Sequence, residues 1–103
     1  MTINEYQKLV MGTFQKRFGS REEMLLDGVM GLYREAGEAL DMLREAYYQG
    51  HEMDLRRVEV ELGEVARYLA MCALAYETPL ESIFELNIEI MRRRYPDAFR
   101  PAL

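Results

Sequence analysis

The sequence predicts an all-α protein, a bundle of four helices. No stretch alternates apolar and polar residues as strands do, and no internal repeat or low-complexity linker divides the 103 residues. Four segments instead carry apolar residues at helical spacing, with start and stop signals at their ends. The connections between them are short, which favours antiparallel neighbours. We expect one domain over residues 1–103, because this length supports a single modest core.

The first two helices are predicted from their boundaries. The first is expected over about residues 2–18. Ser20 followed by Glu23 matches a capping box, in which each side chain satisfies a free backbone amide near a helix start. A long second helix is predicted from there to about residue 48, with a loosening near Gly28 and Gly31.

The last two helices also begin at recognisable caps. Asp54 is the predicted cap of the third helix, which continues to about residue 76. Thr78 is the predicted cap of the fourth helix, with Pro79 in the first turn and Glu81 three residues after the cap. This helix is expected to end near residue 95, before Pro96.

Charge and cysteine content exclude several classes of protein. Thirteen basic and eighteen acidic residues give a net charge of -5, which disfavours binding to nucleic-acid phosphates. Cys72 is the only cysteine, so an intramolecular disulfide is impossible and a cytoplasmic location is expected. The longest apolar stretch, residues 68–76, is far shorter than the roughly 20 residues that span a bilayer. We expect no membrane partner.

Two pairs of glutamates carry the strongest chemical signal. Glu35 and Glu38 are three residues apart on the second predicted helix, and Glu61 and Glu64 are three apart on the third. Residues at this spacing lie on one helix face, about 4.5 Å apart along the axis. Two facing pairs would gather four carboxylates, which repel one another unless protons or cations compensate them. Such oxygen ligands suit Mg²⁺ or Mn²⁺.

A structural explanation of these glutamates stays open. A single Glu-x-x-Glu pair is most often solvated surface, and an arginine such as Arg57 is a possible ion-pair partner for a buried Glu61. Against this, both pairs border apolar stripes, and Gly37 and Gly63 beside them permit close approach of a backbone or ligand. The Glu-x-x-His element of di-iron bundles is absent, and His51, the only histidine, falls in a turn.

Three stretches in order resemble a known family. GLYREAGEALDMLREAYYQGHEMD, VELGEVARYLA and ELNIEIMRRRYPDAF are similar to the MazG-like all-α nucleoside triphosphate pyrophosphohydrolases, over about residues 25–99. MTINEYQ resembles the opening of small phage-type and bacterial members. The resemblance implies a four-helix bundle that is completed by homo-oligomerisation, as a homodimer or a dimer of dimers.

The resemblance also implies an activity and a metal site. Water attacks a nucleoside triphosphate, releasing nucleoside monophosphate and pyrophosphate. The implied ligands of Mg²⁺, with Mn²⁺ as a substitute, are Glu35, Glu38, Glu61 and Glu64. Bound Mg²⁺ bridges phosphate oxygens and lowers the pKa of bound water. Glu38 is the implied proton acceptor for the attacking water.

Substrate contacts are expected from polar and basic residues outside the two pairs. The matching positions are Asn87, Arg94, Tyr95 and Arg44. Amide and guanidinium groups suit phosphate oxygens, although arginines at a helix C-terminus are favoured by the dipole alone. For base recognition the first predicted helix offers Gln7 and Phe14, with no physical ground to choose between them.

Four positions depart from the family pattern. Glu64 replaces the usual aspartate, Ile90 a frequent lysine, Arg34 a common glycine and Arg67 a frequent tryptophan. None of these changes removes a carboxylate from the expected metal site. Two alternatives to a pyrophosphohydrolase follow. One is a non-catalytic dimeric module of the same type that binds nucleotide or metal without turnover, and the other is a purely structural bundle whose glutamates face solvent or basic side chains.

Overall fold

The computed structural model describes residues 1–14 and 18–101, and over these residues the all-α prediction is confirmed. No strand is present in this part of the chain. Its helices are α1 (Ile3–Met11), α2 (Arg21–Tyr48), α3 (Leu55–Ala75), α4 (Leu80–Arg94) and a final 3-10 turn (Pro96–Phe99). None of the described helices is both long enough and apolar enough to cross a bilayer.

The predicted starts of α2 and α3 are confirmed by their capping bonds. The Ser20 hydroxyl accepts a hydrogen bond from the Glu23 amide at 3.1 Å, and the Glu23 carboxylate accepts one from the Gly19 amide at 2.9 Å. The Asp54 carboxylate accepts one from the Arg57 amide at 3.3 Å. These bonds satisfy backbone donors that have no partner inside the helix.

The first helix is shorter than predicted. α1 ends at Met11, with Gly12 as its C-terminal cap, whereas the prediction extended it to about residue 18. Beyond the cap, the Thr13 hydroxyl donates a hydrogen bond to the Val10 carbonyl at 2.6 Å and closes the end of the helix. Residues 15–17 of the predicted helix lie outside the described residues.

The predicted threonine cap of α4 is wrong. Pro79 occupies the N-terminal cap and no side chain of α4 itself bonds the first turn. The buried Gln7 of α1 takes this role, because its Oε1 accepts from the Leu80 amide at 2.8 Å and its Nε2 donates to the Thr78 carbonyl at 3.0 Å. A long-range amide therefore replaces the local hydroxyl.

α2 and α3 form a closely packed hairpin that carries both glutamate pairs. The expected loosening near Gly28 and Gly31 does not occur, because α2 is one continuous helix through both positions. A Cβ at Gly28 would lie 2.7 Å from the Cys72 sulfur, and one at Gly31 would overlap the Tyr68 ring. The two glycines allow α2 and α3 to approach each other closely.

The remaining elements cover only part of this hairpin. A small core joins Ala70, Ala73 and Leu80 with residues of α1 and α4, including Tyr6 and Ile83. α4 packs on α1 and α3 but not on α2. The radius of gyration is 16.8 Å, against about 13 Å for a compact chain of this length. A single chain is thus an open arrangement with apolar side chains left exposed on α2, α3 and α4.

Candidate metal centre

Three of the four predicted carboxylates converge between α2 and α3. One oxygen each from Glu35, Glu38 and Glu61 lies within 4.8 Å of the other two. Glu35 and Glu61 are partly buried, and Glu38 is exposed. The convergence follows from helix geometry, since the two pairs occupy facing turns of an antiparallel hairpin.

Crowding of these carboxylates shifts their proton affinities in opposite directions. The pKa of Glu61 is raised from 4.5 to about 7, first by a hydrogen bond between its carboxyl group and that of Glu35. Burial and the negative charges of Glu35 and Glu38 raise it further. The same bond to Glu61 lowers the pKa of Glu35, with help from Arg34. Below about pH 7 one proton is therefore held mainly on Glu61.

One carboxylate oxygen of this cluster is buried without a hydrogen-bond partner in the described part of the chain. The Oε2 atom of Glu61 is buried and has no hydrogen-bond partner among the described residues. A hydrogen bond between two carboxyl groups requires one of them to be protonated, so it is lost when Glu61 ionises. An ionised carboxylate with one buried, unpartnered oxygen is unfavourable unless a cation approaches it.

Glu64 does not belong to the group of three. Its carboxylate Oε2 lies 3.3 Å from the Nη1 atom of Arg67, one turn further along α3. Partial burial raises the pKa of Tyr6 on α1, and the negative charge of Glu64 raises it further. The prediction of Glu64 as a fourth metal ligand stays a prediction.

Two arginines flank Tyr68 beside the carboxylates. Arg34 donates a hydrogen bond to the Tyr68 hydroxyl at 2.8 Å and lies 3.3 Å from Glu35. The guanidinium carbon of Arg67 is 5.4 Å from the centroid of the Tyr68 ring and 4.4 Å from that of Phe14. These side chains line a cavity of about 410 Å³ that adjoins the three carboxylates through Arg34.

The predicted substrate residues lie on helices that do not meet within one chain. Asn87, Arg94 and Tyr95 are exposed along α4 and at its end, where the Arg94 guanidinium lies 5.9 Å from the Tyr95 ring centroid. Arg44 is on α2, at an open groove of about 570 Å³ near the end of the hairpin. Because α4 does not pack on α2, the chain alone does not gather these four residues.

The two candidates for base recognition occupy different places. Both polar atoms of the Gln7 amide are engaged at the start of α4, so Gln7 serves the fold. Phe14 lines the cavity beside Tyr68, with the two ring centroids 6.3 Å apart. His51 lies in the turn after α2, as predicted, with Nδ1 4.0 Å from a Glu45 oxygen.

Comparisons with known proteins do not add a relative. No protein-family model, curated protein or solved structure matches the chain significantly. The resemblance stated above therefore stays a prediction.

The geometry of the three carboxylates fits a divalent cation of the Mg²⁺ or Mn²⁺ type. Two oxygens bound to the same Mg²⁺ lie at most about 4.2 Å apart, since each bond is about 2.1 Å long. The oxygens of Glu35, Glu38 and Glu61, each within 4.8 Å of the others, need only a small contraction to reach that limit. The buried Oε2 of Glu61, which has no hydrogen-bond donor in the described part of the chain, is an acceptor that a bound cation would satisfy.

Sequence reasoning missed the residues that organise this site. Tyr68 is predicted only as part of the apolar stretch 68–76, and Arg34 and Arg67 only as departures from a family pattern. Only Arg67 had a usable signal in its spacing, because it lies three residues after Glu64, whereas adjacent residues such as Arg34 and Glu35 do not normally face each other on a helix. An arginine at i+3 from a carboxylate is a standard partner on a helix.

Proposed function

We propose that the chain is a metal-dependent nucleotide pyrophosphohydrolase, which converts nucleoside triphosphates to nucleoside monophosphate and pyrophosphate. The observation that carries this proposal is the convergence of Glu35, Glu38 and Glu61, with a buried Glu61 oxygen that no described residue satisfies. The family resemblance supplies the reaction, and the carboxylates supply a place for the cation that the reaction requires.

The roles of the three residues follow from their exposure. Glu35 and Glu61 are partly buried, so their oxygens are held in place and are suited to binding Mg²⁺ or Mn²⁺. When bound, the cation neutralises phosphate charge and makes water more acidic. Glu38 is the exposed member of the group, so its carboxylate is the one that solvent reaches and that accepts the proton of the attacking water in this proposal. The new P–O bond to water forms as the bond between the α- and β-phosphates breaks.

Phosphate recognition in this proposal needs more than one copy of the chain. Asn87, Arg94 and Tyr95 on α4 and Arg44 on α2 lie on helices that do not pack together. A homodimer or a dimer of dimers would place α4 of one copy beside α2 of another. The apolar side chains exposed on both helices support such an assembly. The single cysteine supports a cytoplasmic location.

Pyrophosphate release tests the proposal directly. The protein is incubated with Mg²⁺ or Mn²⁺ and a panel of ribo-, deoxy- and modified nucleoside triphosphates, with diphosphates as negative controls. We expect turnover of at least one triphosphate and its loss, by about 100-fold or more, in Glu38→Gln, because general-base catalysis contributes factors of this size.

Glu45→Gln is the matched control for that variant. Glu45 is exposed on α2 two turns beyond Glu38, outside the carboxylate group, and its replacement should leave turnover unchanged. Absence of turnover on every nucleotide would contradict the proposal. So would equal activity in Glu38→Gln and the unaltered protein.

A non-catalytic module that binds metal or nucleotide is the second candidate. Its support is the ion pair between Glu64 and Arg67, which leaves three carboxylates together instead of four. Two ion pairs, Arg34 with Glu35 and Arg67 with Glu64, also agree with a purely structural bundle. Thermal melting with and without Mn²⁺ distinguishes a metal-binding module from a purely structural bundle. Stabilisation that disappears in Glu61→Gln supports a metal site, since a ligand of the native state raises its stability.

A further inference from the structure

Glu64 and Arg67 form an ion pair at the edge of the carboxylate group. The Nη1 atom of Arg67 lies 3.3 Å from Oε2 of Glu64, and the two residues are one helical turn apart. Glu61 is one turn before Glu64, on the same face of α3. Glu64 is thus near the three converging carboxylates along the helix, but its charge is directed to Arg67.

Arg67 is itself fixed by several other contacts. Its Nε donates to the Thr13 hydroxyl at 2.8 Å, and its Nη2 donates to the Thr13 carbonyl at 3.3 Å. Its guanidinium lies over the rings of Phe14 and Tyr68. One quarter of the side chain is exposed. Because Thr13 and the two rings fix the arginine, the ion pair keeps Glu64 bound to Arg67 and outside the group of three carboxylates.

We propose that Arg67 is a positioning residue that competes with a divalent cation for Glu64. While Glu64 bonds Arg67, the cation site contains Glu35, Glu38 and Glu61; when Glu64 leaves Arg67, a fourth carboxylate becomes available. Arg67 therefore lowers the affinity of this site for metal. This inference rests on the proposed function, since it requires that the three carboxylates bind a cation.

The two positive side chains beside Tyr68 differ in this respect. Arg34 lies 3.3 Å from Glu35, which already belongs to the group of three, so this ion pair does not keep its glutamate out of the site. Arg67 is the one whose glutamate stands outside the group. Arg67 alone therefore keeps a carboxylate out of the group.

Mn²⁺ affinity in a double-mutant cycle tests the inference without measuring activity. Free Mn²⁺ is followed by electron paramagnetic resonance in the unaltered protein, Arg67→Met, Glu64→Gln and the double variant. We expect Arg67→Met to bind Mn²⁺ about 10-fold more tightly. This change corresponds to about 1.4 kcal/mol, which is within the range of coupling energies for residues in contact. In the Glu64→Gln background the same change should alter affinity by less than about 3-fold, which is the general effect of removing one nearby positive charge.

Two further variants control for charge and folding. Arg56 pairs with Glu59 at 3.7 Å on the same helix, with the same three-residue spacing, so Arg56→Met removes an equivalent charge away from the site. It should leave Mn²⁺ affinity nearly unchanged. Arg67→Lys retains the positive charge but loses the planar fork that bonds Thr13 and Glu64 together, so it should tighten binding by about 3-fold. If Arg67→Met does not fold, Arg67→Lys alone tests the inference. Tighter Mn²⁺ binding by Arg67→Lys would support the role of Arg67, and unchanged binding would overturn it.

The outcomes separate this inference from the proposed function. Equal tightening by Arg67→Met with Glu64 present and absent would overturn the role of Arg67, while leaving the metal site intact. The same holds if neither Arg67 variant tightens binding. If no variant binds Mn²⁺, including the unaltered protein, the metal site fails and both proposals fall together.

Discussion

Glu61 couples the stability of the metal-free protein to pH. Its folded-state pKa of about 7 exceeds its ordinary value of 4.5, so between these values the folded chain binds a proton that the unfolded chain has lost. This contribution to stability is complete below pH 4.5 and disappears as pH rises through about 7. The lowered pKa of Glu35 acts below that window, since it shifts titration to more acidic pH.

We therefore predict that the melting temperature of the chelator-treated protein falls between pH 5 and pH 7.5, within the window set by Glu61. Glu61→Gln should remove this fall, because the amide neither titrates nor repels Glu35. The measurement is thermal unfolding by circular dichroism at closely spaced pH values. Glu85→Gln, at an exposed position on α4, should keep the pH dependence of the unaltered protein. A fall that persists in Glu61→Gln would contradict this account.

Gln7 is a second residue whose role is measurable. It is 8% exposed, and its amide joins α1 to the start of α4 through two hydrogen bonds. Gln7→Met should lower the free energy of unfolding by about 2 kcal/mol, because it leaves the Leu80 amide and the Thr78 carbonyl without their partner. Denaturant titration measures this change.

Asn4→Ala is the matched control for Gln7. Asn4 also bonds α1 to α4, through its Nδ2 and a Glu81 oxygen at 3.0 Å, but this bond is exposed to solvent. Its loss should cost at most about 0.5 kcal/mol, since water replaces the partner. Equal costs for the two variants would mean that Gln7 is not a buried cap.

At the scale of helices, the effect of adding a methyl group to a glycine of α2 depends on whether that glycine contacts α3. Gly31 is buried and a Cβ there would overlap the Tyr68 ring, whereas nothing in the described chain lies within 4 Å of a Cβ at Gly37. Gly31→Ala should destabilise the protein by about 1–3 kcal/mol through overpacking. Gly37→Ala should stabilise it by about 0.5–1 kcal/mol through helix propensity.

The two glycine variants are each other's control, because they lie on the same helix and gain the same methyl group. Chemical denaturation of both variants measures the difference. Destabilisation by Gly37→Ala as large as that by Gly31→Ala would show that the surface around Gly37 is covered in the assembled protein.

Helix starts were predictable wherever the signal was local. Ser20 and Asp54 cap the helices that directly follow them, so a few residues contain the whole interaction. The start of α4 was not predictable in this way, because its cap is Gln7, more than seventy positions earlier in the chain. The same limit applies to Gly31, whose small size matters only against Tyr68 on another helix.

The candidate site was likewise predictable where the signal lay within one helix, and was not predictable where it depended on another element. Helical spacing indicated that each glutamate pair shares a face, and the structure brings Glu35, Glu38 and Glu61 together. The departure of Glu64 was not foreseen, because it depends on Arg67 being anchored by Thr13 at the end of a shorter first helix. The side chain that decides the arrangement is held by another element.

At the scale of the whole molecule, a single chain leaves much apolar surface open. α2 exposes Leu40, Leu43 and Tyr47 at a groove of about 570 Å³, and α4 exposes Leu86 and Ile88. Apolar surface of this extent is typical of a protein interface. We therefore predict that the protein sediments as a dimer or a dimer of dimers, as the resemblance also implies. Sedimentation velocity measures the mass.

Leu43→Glu should shift the protein toward the monomer without unfolding it. Leu43 is 42% exposed in the single chain, so the charge is tolerated there, whereas it would be buried and unpaired between two copies. Leu9→Glu is the control, because Leu9 is 68% exposed on α1, away from that groove, and should leave the mass unchanged. The Leu43→Glu monomer should also lose pyrophosphate release, since α4 of one copy would no longer reach α2 of another. An unaltered protein that sediments as a monomer and still hydrolyses nucleotide would contradict this arrangement.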